Sequence, residues 1–207
     1  YSNKPFQNIT FITNKGGLNV VVGDGKGKQQ GSNSHSLGKT KFAELLDFML
    51  LKGVNKKYFF YKDSRKTKFA GYEFHLEVLL NNGQFLTIKR SVDEATKISF
   101  RLRDKASEGY AIEDEFDTKP SSFPKAKAHL NKLLHFDFCI KNSENYRRIV
   151  NYSLRSQGDY EPKYNTLFQL SKFSNKNDKD SWKPLILSLL GFNGEGISIT
   201  LGDFRCI

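Results

Sequence analysis

From Tyr72 to Leu102 the hydrophobic period is two, and that alternation constrains this chain more than any other feature. Tyr72, Phe74, Leu76, Val78 and Leu80 alternate with mostly polar residues, as a half-buried strand does. Asn82-Gly83 follows, a pair that tolerates the positive φ of a two-residue type I′ turn, and Phe85–Val92 reads as the returning strand. Ile98, Phe100 and Leu102 then alternate with Lys97, Ser99, Arg101, Arg103 and Lys105. The expectation is a three-stranded antiparallel lobe with a basic outer stripe.

Upstream the period changes. Gly38–Lys52 carries Phe42, Leu45, Leu46, Met49 and Leu50 at the spacing of one helical face, with Gly53 where a helix stop belongs. Before it, Phe6–Ile12 and Leu18–Gly23 flank Asn14-Lys15-Gly16-Gly17 and read as a hairpin. The second run is almost continuously apolar, which predicts a strand buried on both faces. A polar stretch, Asp24–Ser36, separates it from the helix. Downstream, Ala126, Leu130, Leu133 and Leu134 share a helical face, with Ser121 or Ser122 to cap and Pro124 in the first turn. Asn145–Arg155 and Tyr164–Ser171 read as short helices, Lys172–Asp180 as a loop, Trp182–Leu190 as a final helix and Ile197–Leu201 as a last strand. The order implies an α/β domain with an inserted β lobe.

Lysine plus arginine outnumber aspartate plus glutamate by 33 to 22, a net charge of +11. That excess favours an anionic partner, nucleic acid ahead of acidic lipid. The longest apolar stretch, Leu45–Leu51, is interrupted by Asp47 and falls far short of the ~20 residues that span a bilayer, so no membrane is expected. No charged-then-apolar signal segment opens the chain, and Tyr1 in place of Met implies an initiator region upstream. Cys139 and Cys206 make no disulfide framework, which predicts a cytoplasmic protein.

Gly38-Lys39-Thr40 at the start of an amphipathic helix, after a strand, is the core of a P-loop. Gly38 lets the backbone approach a phosphate, and the helix start adds unpaired N–H groups and a positive dipole end. Lys39 would reach the β and γ phosphates of ATP, and the Thr40 hydroxyl would ligate Mg²⁺. The full pattern wants glycine where Asn33 stands, and Asp24–Ser32 is an insertion. The alternative is that Gly-Lys-Thr is an ordinary helix start. The candidate phosphate-binding set is Asn33, Ser34, His35, Ser36, Leu37, Gly38, Lys39, Thr40 and Lys41.

The string Gly17-Leu18-Asn19-Val20-Val21-Val22-Gly23, with Ser34-His35-Ser36-Leu37-Gly38-Lys39-Thr40-Lys41-Phe42-Ala43-Glu44-Leu45-Leu46-Asp47-Phe48, resembles the N-terminal ATPase half-head of SMC-like proteins. These are the SMC, RecF, RecN and double-strand-break-repair ATPases of the ABC superfamily. The specific match spans roughly the first fifty residues and looks most like prokaryotic members, some of them in anti-phage and anti-plasmid systems. The resemblance implies a P-loop ABC-ATPase head N-lobe over 1–207: hairpin, P-loop and helix in 1–55, an antiparallel β lobe in 70–106, and a mainly helical part in 121–207. Ser153-Leu154-Arg155-Ser156-Gln157-Gly158-Asp159-Tyr160 resembles the family's Q-loop. By that resemblance Gln157 contacts Mg²⁺ and the attacking water, the alternative being a helix end at Gly158. Lys39 and Gln157 are therefore the catalytic candidates, with Thr40 and Gln157 on the metal.

The family hydrolyses ATP between two heads with a Walker B Asp-Glu pair and a Ser-Gly-Gly signature. Neither motif is found here: Ile197–Asp203 imitates a Walker B strand, but no glutamate follows Asp203. The chain stops about where the family's coiled coil begins, so ATPase activity is expected only with a C-terminal lobe and a second head, most simply a homodimer. Other subunits of a DNA-maintenance or defence complex are further expected partners.

His75, His129 and His135 are scattered and form no metal spacing, and Glu113-Asp114-Glu115-Asp117 reads as a solvated acidic loop. Lys56-Lys57, Lys62, Arg65, Lys66 and Lys68 flank the aromatic run Tyr58–Tyr61. With Lys97, Arg101 and Arg103 they are candidates for the phosphate backbone of double-stranded DNA, the alternative being solvated surface. Two other functions compete with the half-head. One is a non-catalytic basic DNA-binding or scaffold module with a decayed P-loop. The other is a small P-loop kinase, whose Asp-bearing second strand and lid are not found.

Overall fold

Alternation, turn chemistry and one amphipathic helix organise the first part of the molecule. The structure, a computed structural model, describes residues 1–6, 8–11, 18–20, 39–56, 58–107, 115–136 and 145–154, together with 183, 186, 187, 190 and 192. It mixes helices with an antiparallel three-stranded sheet and divides into two compact units, Tyr1–Phe123 and Pro124–Ile207.

In the first unit, helix α1 spans Lys39–Met49, a single 3-10 turn spans Phe59–Tyr61, and the short helix α2 spans Asp63–Phe69. Strands β1 (Glu73–Leu79), β2 (Phe85–Ser91) and β3 (Ile98–Arg103) follow in sheet order 1-2-3. The predicted hairpin forms between Leu79 and Phe85, but its turn differs from expectation. Gly83 donates its N–H to the Leu80 carbonyl at 3.0 Å and has φ +84, whereas Asn82 keeps a negative φ. The loop is a type I turn closed by a left-handed glycine, the three-residue alternative to type I′. The Asn82 side chain bonds Gln84 at 2.9 and 3.0 Å, which stabilises this form.

One face of the sheet is apolar: Leu86, Ile88, Ile98, Phe100 and Phe74 are all at most 2% exposed. α1 packs against β1 and β2. Its most buried residue is Phe48, fully enclosed, with Leu45 and Met49, so the inward stripe is turned from the expected one. The reason is aromatic packing. Phe48 meets the Phe60 ring edge-on at 5.1 Å, Phe60 stacks on Phe74 at 5.6 Å, and Phe69 meets Phe60 at 5.0 Å. One cluster of rings thus ties α1, the 3-10 turn, α2 and β1 together, each buried ring contributing about 1.5–3 kcal/mol.

The opposite face departs most from expectation. It is a covered polar network in place of a basic outer stripe. The register sets Glu77, Thr87 and Arg101 side by side, with His75, Lys89 and Ser99 in the next row. Thr87 and Arg101 are 3% and 6% exposed. Ser107 donates its hydroxyl to Glu77 at 2.5 Å and its N–H at 3.1 Å, and accepts from Arg101 at 2.8 Å. The Phe116 ring lies 5.6 Å from the Lys89 ammonium and 5.8 Å from the Arg101 guanidinium, and His75 meets it edge-on. Burial, reinforced by Lys89 and Arg101 and opposed by Glu73, pulls His75 down to about 4.

Both sheet edges are covered, which blunts strand addition by other chains. Ser2 bridges Phe74 beside β1, and Thr118 bridges Phe100 beside β3. Next to Thr118, Asp117 accepts the Leu102 N–H at 2.8 Å and two bonds from Arg103, which hold its carboxyl below the usual range.

Leu18 and Val20 are 90% and 68% exposed, and no strand forms at 18–20. An apolar run becomes a strand buried on both faces only where two layers cover it, and among the described residues nothing covers these side chains. In the second unit, α3 spans Phe123–Leu133 and α4 spans Asn145–Ser153. Ala126 and Leu130 are buried as the periodicity predicts. The buried Asn131 accepts the Tyr146 N–H at 3.1 Å, satisfying a first-turn donor of α4. The helix expected at Tyr164–Ser171 and the strand at Ile197–Leu201 lie outside the described residues. Among the described residues no helix is long and apolar enough to cross a membrane.

Candidate nucleotide site at the start of α1

α1 spans Lys39–Met49 and so includes Lys39 and Thr40 of the Gly38-Lys39-Thr40 motif, whereas Gly38 lies outside the described residues. Lys39 and Thr40 are located by their backbone as its first two residues. The first turn carries no acidic residue. The first-turn N–H groups of a helix have no acceptor within the helix and make a positive dipole end, which an anion such as phosphate complements. Asn33, Ser34, His35, Ser36, Leu37, Gly38 and Gln157 lie outside the described residues. Lys41 is engaged within the protein, where its ammonium pairs with Glu44 and lies 5.5 Å from the Phe59 ring centroid.

The other end of α1 is held more firmly than the sequence suggests. The helix closes in a Schellman motif, Lys52 N–H to the Asp47 carbonyl and Leu51 N–H to the Phe48 carbonyl, both at 3.0 Å. The left-handed residue is Leu51 (φ 60), fully buried, whereas Gly53 lies beyond the stop. Burial of the leucine side chain outweighs a strain of about 1–2 kcal/mol. α3 ends the same way, with His135 at φ 55 and Phe136 N–H bonded to the Asn131 carbonyl at 3.0 Å.

Arg90, 1% exposed, is the residue that sequence reasoning missed. Its guanidinium donates to the Phe48 carbonyl, to the Lys52 carbonyl at 3.0 Å and to the Ala95 carbonyl at 2.7 Å. It stacks 4.0 Å from the Phe48 ring centroid and 5.0 Å from that of Phe123. A cation at the C-terminal carbonyls of α1 complements the helix dipole and fixes the helix against β2. A signal was present: Leu86, Ile88 and Arg90 share the inward period of one strand, so an arginine there must find buried acceptors.

Of the DNA candidates, Arg65 is half-buried on α2, Lys66 belongs to α2, and Lys97 is exposed and paired with Glu94 at 2.5 Å. Arg103 is spoken for by Asp117 at 3.0 Å, and Arg101 is enclosed in the polar network. The structure does not bring these five into one stripe. Among the described residues no three of His, Cys, Asp and Glu converge on a metal position.

Compared with known proteins, the chain matches no family model, no curated protein and no solved structure.

Proposed function

We propose that this chain is the ATP-binding lobe of an SMC-like ATPase that acts on DNA in genome maintenance or defence. ATP sits on Ser34–Thr40, with Mg²⁺ on Thr40 and Gln157, and hydrolysis awaits a C-terminal lobe and a second head. The observation that supports this reading is that helix α1 carries Lys39 and Thr40 and has no acidic residue in its first turn, as a phosphate needs from a helix. An antiparallel lobe after that helix, beyond the 3-10 turn and α2, agrees with the layout the resemblance implies. Binding of nucleotide is then the glue for head engagement.

The test is Mg-dependent binding of a fluorescent ATP analogue to wild type, Lys39→Ala and Thr40→Ala. The expected result is affinity lost in Lys39→Ala and Mg dependence lost in Thr40→Ala. Unchanged affinity in Lys39→Ala contradicts the reading and leaves the non-catalytic basic module, which the Asn33 position and the Asp24–Ser32 insertion favour.

A further inference from the structure

The cations of the first unit are sorted by whether a carboxylate answers them. Five around α1 and the sheet are answered, Lys41 by Glu44, Lys52 by Asp47, Lys89 by Glu73, Lys97 by Glu94 and Arg103 by Asp117, while Arg90 and Arg101 are buried on carbonyl and hydroxyl acceptors. Around the 3-10 turn and α2 the cations are not answered. Lys56, Lys62, Arg65 and Lys68 have no carboxylate partner among the described residues, and Lys56, Lys62 and Lys68 are exposed. Lys4 extends the same surface, since its ammonium donates to the Ala70 carbonyl at the C-terminal end of α2. Elsewhere in the unit Lys105 and Lys119 share this status only as single residues. At the margin Asp93 accepts the Gly71 N–H at 2.7 Å.

The aromatic run between these cations is largely used by the core. Phe59 and Phe60 are 6% and 1% exposed. The Tyr58 hydroxyl donates to the Glu44 carbonyl and the Tyr61 hydroxyl to the Val92 carbonyl at 2.7 Å. Phe59 and Phe60 cannot stack on a base, and Tyr58 and Tyr61 are half-buried with their hydroxyls engaged, whereas open aromatic faces are what hold a single strand. What remains is a set of phosphate-seeking point charges on short helical elements, which carry position without base readout.

We infer that the surface built by the 3-10 turn and α2, with Lys56, Lys62, Arg65 and Lys68, grips the phosphate backbone of duplex DNA without reading sequence. The inference rests on the reading that the chain acts on DNA, and it assigns that contact to this surface in place of the sheet cations. It does not depend on nucleotide.

The experiment measures binding of the full chain to a 20-base-pair duplex and to the same unpaired strand between 50 and 200 mM salt. Four phosphate contacts give a log–log salt slope of about −3.6, a loss of about 150-fold over that range. Lys56→Gln/Lys62→Gln/Arg65→Gln/Lys68→Gln is expected to lose at least tenfold at 50 mM salt and most of the slope, with an unchanged thermal midpoint. Lys97→Gln/Arg103→Gln is expected to bind as wild type does. Equal binding by the quadruple variant overturns the assignment, as does loss confined to Lys97→Gln/Arg103→Gln, which leaves the DNA reading standing. A tenfold preference for the unpaired strand overturns the binding mode. No duplex binding by wild type at 50 mM salt, or capture by phosphatidylserine vesicles alone, overturns both the assignment and the DNA reading.

Discussion

Arg90→Met probes the joint between α1 and the sheet. The guanidinium donates three hydrogen bonds to carbonyls and stacks against two phenylalanine rings in a site that is 1% exposed. A hydrogen bond from a charged donor is worth about 1.5–3 kcal/mol, and a desolvated cation–π contact about 2 kcal/mol. Against these stands the cost of burying the charge, several kcal/mol. Substitution by methionine removes that cost together with the contacts, but it strands the buried Ala95 carbonyl and leaves the Phe48 carbonyl only the Leu51 N–H. The expected net loss is about 1–3 kcal/mol, the cost of leaving a buried acceptor without its donor. Folded domains hold only about 5–15 kcal/mol, so this is a sizeable share of the first unit's stability. Arg90→Lys keeps the charge but not the fork that spreads donors over three carbonyls, and is expected to lose about 2 kcal/mol. Urea denaturation followed by far-ultraviolet circular dichroism gives both values. An Arg90→Met variant within about 0.5 kcal/mol of wild type, the scatter of ordinary surface substitutions, would refute the reasoning.

Three further outcomes follow from the same structure. Leu51→Gly relieves the left-handed strain at the end of α1 but forfeits a fully buried side chain, so it is expected to cost about 1–3 kcal/mol. His135→Gly, at the equivalent exposed position of α3, is expected to stabilise by about 0.5–1 kcal/mol in the same denaturation assay; a matching sign for both variants would contradict the account. His75 sits at about 4 in the folded protein against 6.5 when free. The unfolded chain therefore takes up a proton as pH falls through about 6.5, while the folded state resists until about 4. Stability is expected to be fully present above that window and to fall across it, and His75→Gln to flatten the fall between pH 7 and pH 5.

Much of the first unit is legible in the sequence where local rules and packing agree. The period of β1 to β3 and the Asn82-Gly83 turn locate the sheet and its apolar face, because both signals are local. The turn type is not legible, since Asn-Gly serves either loop and the Gln84 bond decides between them. The polar face reads as a solvated basic stripe because alternation tells which residues share a face, not what lies over it. Phe116 and Ser107, which cover it, come from outside the strands. The 3-10 turn and α2 escape because three and seven residues are too few to display a period. At the candidate site, the helix that carries Lys39 and Thr40 is legible from the periodicity that follows Gly-Lys-Thr. The stop at Leu51 is not, because only burial lets a leucine take a left-handed backbone there.

Amide hydrogen exchange with and without Mg·ATP tests the central claim most directly, because it reads the proposed phosphate donors themselves. The N–H groups of the first residues of α1, Lys39 to Phe42, are the proposed phosphate donors. The account predicts that saturating Mg·ATP slows exchange at those amides in wild type and not in Lys39→Ala, while β1 to β3 are unaffected. Unchanged exchange at the first turn of α1 in the presence of Mg·ATP would contradict it.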